Sequence, residues 1–268
     1  MIRLFHTIRR QLAFENKFFQ YARYAIGEIL LIVVGILIAV QIGNWNENRI
    51  ARKELQAKLK AQIEVMKTDQ EMLDSFKEIL TFRIYSIKQV LEWAGTPFRP
   101  LSKWGVDDLY VLPNRQTQFW EGPFPEHYNR RFTEKTYLLA ASGPGDLKRL
   151  NTTIYEELVN NNLYSGIENT AQKTEIDKWY VNWDLEVSSK YVEVGNRWRE
   201  ALRKHGALIT DLESIDNPLR LIQESPETVA ALKEVMYESI WVGFLASELI
   251  RSFDQSIIWM EGEIAKLE

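Results

Sequence analysis

The chain has 268 residues, of which 46% are apolar and 12% aromatic, enough for a buried core, so disorder is not the default expectation. The absence of cysteine excludes disulfide frameworks, thiolate nucleophiles and Cys-ligated metal centres. The net charge is −4, but five basic residues against one Glu give the first 24 residues +4, so the remainder carries −8. An acidic main body argues against a nucleic-acid partner.

Residues 1–24 form a basic tail that precedes an apolar segment. Phe5, Ile8 and Leu12 recur at helical spacing, with Arg9 and Arg10 off that stripe. This pattern is typical of an amphipathic helix lying on an anionic membrane surface. A merely flexible basic tail accounts for the same residues equally well.

The apolar segment, residues 25–42, contains only two strongly polar residues, Glu28 and Gln41. As a helix it is about 27 Å long, just enough to cross a bilayer. Tyr24 and Trp45 flank it, where interfacial aromatic residues are expected. A buried core helix is an alternative, whereas a cleaved signal peptide lacks its small-residue cleavage pattern. The segment therefore predicts an uncleaved transmembrane anchor in contact with the lipid bilayer.

The orientation of this anchor does not follow from a simple charge count, because Arg49, Arg52 and Lys53 follow the segment as basic residues precede it. A short basic tail resists translocation, whereas a long downstream domain is exported largely regardless of its charge. We therefore expect a cytoplasmic N-terminus, with residues 43–268 forming an extracytoplasmic domain.

Glu28 is the unusual residue of the apolar segment, and two interpretations remain open. Its carboxylate is one turn inside the span, from where it can reach back to the headgroups or to Arg23. Alternatively it pairs with another subunit or titrates, as in single-span proton-driven stator proteins.

Small residues at four- and eight-residue steps form a ridge on the same segment: Gly27, Gly35, Ala39 and Gly43, interrupted by Leu31. Small residues let a second helix approach closely in a membrane. The ridge therefore favours a homo-oligomer or a contact with another membrane protein.

Two long amphipathic helices are predicted outside the membrane. No Gly or Pro interrupts the chain between Gly43 and Gly95, and apolar residues recur at three- and four-residue steps from Glu47 to Trp93, with coiled-coil-like spacing. A second such helix runs from Pro226 to Glu268, with Ser225 as its N-cap. Their similar lengths suggest an antiparallel pair.

Shorter helices are predicted between them, over residues 146–161 and 171–204, separated by Gly-containing breaks. Residues 95–137 form an aromatic-rich insertion that we expect to be irregular. The sequence thus predicts an all-α protein: a single N-terminal transmembrane helix continues into a long helix of an extramembrane helical bundle.

Two stretches resemble a known family, namely "KFFQYARYAIGEILLIVVGILIAVQIGNWNENRIARKE" and "TIYEELVNNNLYSGIENTAQKTEIDKWY". They are similar to a bacterial membrane-anchored family known as domain of unknown function 6090. Members typically have two Asn before the Trp and a Gly in the turn between the middle helices, where this chain has Gly43-Asn44 and Asn162. The resemblance implies a single N-terminal span with a helical domain, and it implies no activity. With the orientation argued above, we expect a bacterial inner-membrane protein whose helical domain is periplasmic.

No enzymatic motif is present in the sequence. The three histidines, His6, His127 and His205, are far apart, and none has a second His at metal-ligand spacing. There is no phosphate loop, dinucleotide fingerprint or nucleophile elbow. The acidic pairs Asp107-Asp108 and Glu156-Glu157 are sequence neighbours, and for the second pair helical geometry directs the side chains apart. We expect no catalysis, no cofactor and no metal.

The stretch richest in possible binding residues is Gln118 to Tyr137. It interleaves aromatic and charged side chains, and the candidate ligand-binding residues are Trp120, His127, Arg130 and Arg131. The arginines would bind a carboxylate or another anion of a small molecule, and the aromatic rings would form the walls. A loop fixed onto the bundle by its aromatic residues is the alternative.

Two classes of function remain. One is a non-enzymatic membrane-anchored interaction, scaffold or sensor protein that works through a partner. The other is an accessory subunit of an ion-driven or transport complex, with Glu28 as the working residue. They differ in where the sensitive residue lies, in the aromatic-rich insertion or in the membrane.

Overall fold

The computed structural model of the protein describes residues 18–97, 119–142, 149–167 and 170–268, all of them in helices or short connections. The predicted tail helix around Phe5 to Leu12, the pair Asp107-Asp108 and residues 98–118 of the insertion lie outside these residues. The chain divides into two units, residues 1–56 and 57–268.

Helix α1, Phe18–Trp93, accounts for the described part of the first unit and continues into the second. Its apolar part is exposed, and it is long and apolar enough, by length and composition, to cross a membrane. From Leu59 onward the helix has a buried stripe instead, because apolar residues at three- and four-residue steps share one face. The predicted apolar helix that continues into a helical bundle is confirmed.

The last helix, α7, spans Pro226–Leu267. Ser225 caps it by accepting a hydrogen bond from the Thr228 N–H, and Pro226 occupies the first turn, where its missing N–H costs nothing. The Gln70 amide of α1 donates to Asp254 of α7, whereas Leu91, further along α1, shares a buried cluster with Leu232, further back along α7. The two helices are therefore antiparallel within the second unit.

The middle of the chain forms helices α3 (Thr153–Asn160), α4 (Thr170–Trp183) and α5 (Ser189–Lys204), with a π-helical turn at Asp184–Ser188 between the last two. The segment predicted as one helix, residues 171–204, has a buried apolar face, for example at Trp183 and Trp198. After α3, Asn162 adopts the left-handed conformation, with φ of 55°. Asn tolerates that conformation better than most residues, so it occupies this position with little strain.

Two helices were not expected, α2 (Arg130–Ala141) and α6 (Pro218–Glu224). Both begin after an Asn N-cap, Asn129 and Asn217, whose side chains accept main-chain N–H groups of the first turn. The insertion is therefore not irregular to residue 137, because its last eight residues already belong to α2. Helix α2 packs on α5 and α6.

Candidate ligand-binding cleft

Aromatic rings fix the start of the candidate segment to the bundle. Phe132 on α2 is fully buried, and its ring makes edge contacts with Trp120 at 5.0 Å and Phe124 at 6.1 Å between centroids. Phe82 of α1 packs against the same group, with its ring 5.7 Å from that of Phe119. Such pairs add to the stability gained from burial. This arrangement is the one expected of a loop held by its aromatic residues.

Arg130 is committed to a structural contact. Its guanidinium donates hydrogen bonds to the main-chain carbonyls of Glu213, Ile215 and Asp216, at 3.0, 2.6 and 3.0 Å, and its Nε donates to Glu134 at 2.7 Å. The planar group has donors enough for this cluster of acceptors. Arg130 therefore joins α2 to the segment before α6, and its donors are not directed at a ligand site.

A cleft of about 430 Å³ opens beside Arg130. Pockets of this size are typical of small-molecule sites. Its apolar lining comes from Phe119, Trp120, Leu138, Ile209 and Leu212, and its charged lining from Glu121, Arg131, Glu134, Lys135 and Glu213. Two of the four predicted ligand-binding residues, Trp120 and Arg131, thus line one cleft.

Arg131 and Lys135 are one turn apart on α2 and line the cleft together. Within the described part of the chain, neither side chain has an ion pair or a hydrogen bond. Lys135 was not among the predicted residues. Lys135 follows Arg131 by four residues, so it would have been predicted to lie on the same face if the segment had been recognised as a helix.

His127 does not line this cleft. It lies on the connection before α2 and its side chain is exposed. Nothing in the described residues therefore brings it together with Trp120 and Arg131.

The membrane candidates lie on the first part of α1. Glu28 is partly exposed, and Gly27, Gly35, Ala39 and Gly43 are exposed. A Cβ atom added to any of the three glycines would meet nothing within 4 Å in the described chain. The ridge is therefore open to a second helix, and association through it stays a prediction.

A buried polar group inside the bundle was not predicted. Gln62 on α1 is fully buried and donates from its amide to the hydroxyl of Tyr180 on α4 at 2.6 Å. The Tyr180 ring is stacked between Tyr155 and Phe253, at centroid distances of 4.7 and 5.8 Å. Burial raises the pKa of this hydroxyl, and the nearby Asp69 carboxylate raises it further. The group holds α1, α4 and α7 together.

The described residues define a class of protein: an all-helical bundle whose first helix carries an apolar segment of membrane-spanning length. Comparison of the chain with family models, with curated proteins and with solved structures gave no match in any of the three. The resemblance to the membrane-anchored family named above therefore stays a prediction.

Proposed function

We propose that the protein is a single-pass, membrane-anchored sensor or scaffold without enzymatic activity, which binds at its bundle and acts through a partner in or beside the membrane. The observation that carries the proposal is the continuity of α1. One helix, without a break from Phe18 to Trp93, contains both the apolar segment and the stripe that builds the bundle core. A change in bundle packing is thereby connected to the membrane segment through one continuous helix.

In this proposal residues 1–24 are cytoplasmic and the bundle is periplasmic, in the inner membrane of a bacterium. The basic tail and the length of the downstream domain support this orientation. The small-residue ridge supports a second copy, or another membrane protein, as the partner.

A topology reporter tests the anchoring. A reporter that is active only in the periplasm is expected to work when fused after Glu268 and to fail when fused before Arg3. The reverse pattern would overturn the orientation, and recovery of the full chain in the soluble fraction would overturn the anchoring.

Crosslinking in native membranes followed by mass spectrometry tests the partner. We expect crosslinks from exposed lysines of the bundle, such as Lys60 and Lys190, to a second copy or to another membrane protein. A chain that crosslinks to nothing, under conditions that capture a known membrane complex, would contradict a scaffold or sensor acting through a partner.

The second candidate, an accessory subunit of an ion-driven or transport complex, rests on Glu28, because a carboxylate within an apolar span is expensive and is often functional. The two candidate functions can be distinguished by their requirement for Glu28. The sensor proposal requires only that Glu28 be tolerated in the span, whereas the ion-driven proposal requires its charge.

A further inference from the structure

The charged groups of the cleft beside α2 differ in their state of pairing. Glu134 is neutralised by Arg130, at 2.7 Å. The four others, Arg131, Lys135, Glu121 and Glu213, have no ion pair with one another or with any group that the structure describes. Two cations and two acids thus line one cleft without meeting.

The positions of these charges explain why they stay apart. The cations are on α2, whereas Glu121 follows Trp120 on the incoming connection and Glu213 lies in the short 3₁₀ turn Leu212–Ser214. The hydrogen bonds that the Arg130 guanidinium donates to main-chain carbonyls of this turn and of the residue after it hold the turn beside α2. The cleft is therefore charged positively on its α2 side and negatively on its other sides.

Between the charges the lining is apolar. Leu212 is buried, and the rings of Phe119 and Trp120 are partly buried against the core. A ligand that fills the cleft must therefore place an apolar body against these residues while it meets charge of both signs. A ligand with one charge would satisfy one side and leave the charges of the other side partly desolvated and unmatched, which costs affinity.

We propose that this cleft binds a zwitterion of the amino-acid type with an apolar side chain, either a free amino acid or a short peptide. Its carboxylate is bound by Arg131 and Lys135, its ammonium by Glu121 and Glu213, and its side chain by Phe119 and Trp120. The inference rests on the proposed sensor function and gives that function its ligand class.

The test is a calorimetric titration of the full chain in lipid nanodiscs with four matched probes. L-phenylalanine and glycyl-phenylalanine carry both charges at two spacings, 3-phenylpropionate lacks the ammonium group, and phenethylamine lacks the carboxylate. We expect saturable one-site binding of at least one zwitterion, with both single-charge probes about tenfold weaker or more. The tighter of the two zwitterions distinguishes an amino acid from a peptide.

Two double variants then test the assignment of each side. Arg131→Gln with Lys135→Gln should weaken the zwitterion about tenfold or more and make phenethylamine the preferred single-charge probe. Glu121→Gln with Glu213→Gln should weaken it similarly and make 3-phenylpropionate the preferred one. All four side chains are at least partly exposed, so these changes should leave the fold intact, which circular dichroism checks.

Arg203→Gln and Glu261→Gln are the matched controls, because both side chains are exposed and neither lines the cleft. Absence of saturable zwitterion binding, equal binding of a single-charge probe, or insensitivity to either double variant would overturn the inference. If the inference fails in this way but the chain is still anchored in the membrane and still crosslinks to a partner, the proposed function is not affected. Zwitterion binding by a chain that is not anchored and has no partner would overturn the proposed function alone.

Discussion

The carboxylate of Asp69 on α1 accepts the main-chain N–H of Asn151, two residues before α3, at 3.3 and 3.4 Å from its two oxygens. Asp69 is only 5% exposed. Burial raises the pKa of its carboxyl to about 6, and the contact with Asn151 lowers it only in part. The bundle therefore contains an acid that is costly to ionise at neutral pH.

This acid makes the stability of the bundle depend on pH. The folded chain keeps the Asp69 proton up to about pH 6, whereas the ordinary pKa is 3.8. The protonated Asp69 carboxyl therefore stabilises the folded chain. This contribution to the free energy of unfolding is fully present below pH 3.8 and is lost as the pH rises through 6. Asp69→Asn, which retains an acceptor for Asn151, should raise the free energy of unfolding at pH 7.5 by about 3 kcal/mol. Denaturant titrations of the detergent-solubilised chain at pH 5, 6 and 7.5 measure this.

Asp74→Asn is the control for Asp69, because Asp74 lies on the same helix and is exposed. It should change neither the stability nor its dependence on pH. If Asp69→Asn leaves the difference between pH 5 and pH 7.5 unchanged, the carboxyl of Asp69 is not the group that titrates.

Arg130 should be a stability residue and not a ligand residue. Arg130→Lys keeps the charge but loses the planar group that donates to the carbonyls of Glu213, Ile215 and Asp216. We expect a loss of about 1 kcal/mol in the free energy of unfolding and faster proteolysis between Asp211 and Asn217. Arg131→Lys, one residue along α2, should change neither. Equal effects of the two variants would contradict the structural role of Arg130.

The two long helices were predictable because their signal is local and long. Apolar residues at three- and four-residue steps extend over more than 30 residues in each, and the Ser225-Pro226 start is a common N-terminal signature. Helix α2 was missed because it has only 12 residues and part of its buried face is Thr133 and Thr136, which are polar in sequence.

The site was predictable only in part, because its partners are distant in sequence. Trp120 and Arg131 belong to one aromatic and basic stretch, which composition singles out. The carbonyl partners of Arg130 come 83 to 86 residues later, so no local pattern shows that its guanidinium is already bound. Similarly, no local pattern shows that Asp69 is buried, because its partner Asn151 comes 82 residues later.

The ridge on α1 should carry self-association if the partner is a second copy. Leu side chains at Gly35 and Ala39 would hold two helix backbones apart, since close approach requires small residues there. We expect the double variant to weaken association severalfold in a membrane reporter assay. Val33→Leu, on another face of the same segment, should have no effect. Unchanged association of the double variant would assign any oligomer to another surface.

Glu28 separates the two candidate functions. Glu28→Gln retains a polar group of nearly the same shape and removes the cost of a charge within the span. If the carboxylate only reaches back to the headgroups, this variant should insert, assemble and function normally. If the carboxylate titrates or pairs with a cation of another subunit, the same change should abolish function, and Glu28→Asp should retain part of it because it keeps the charge.

The measurement is co-purification of the Glu28 variants with the native partners, beside a growth or transport assay of the complex. Glu47→Gln is the matched control, because Glu47 is an exposed acid on the same helix just beyond the apolar segment. Full activity of Glu28→Gln would reject the ion-driven candidate, since an amide cannot carry the required charge. Loss of a partner by a variant that still inserts normally would favour that candidate over the sensor, because insertion needs only an apolar helix whereas a charge pair needs the carboxylate itself.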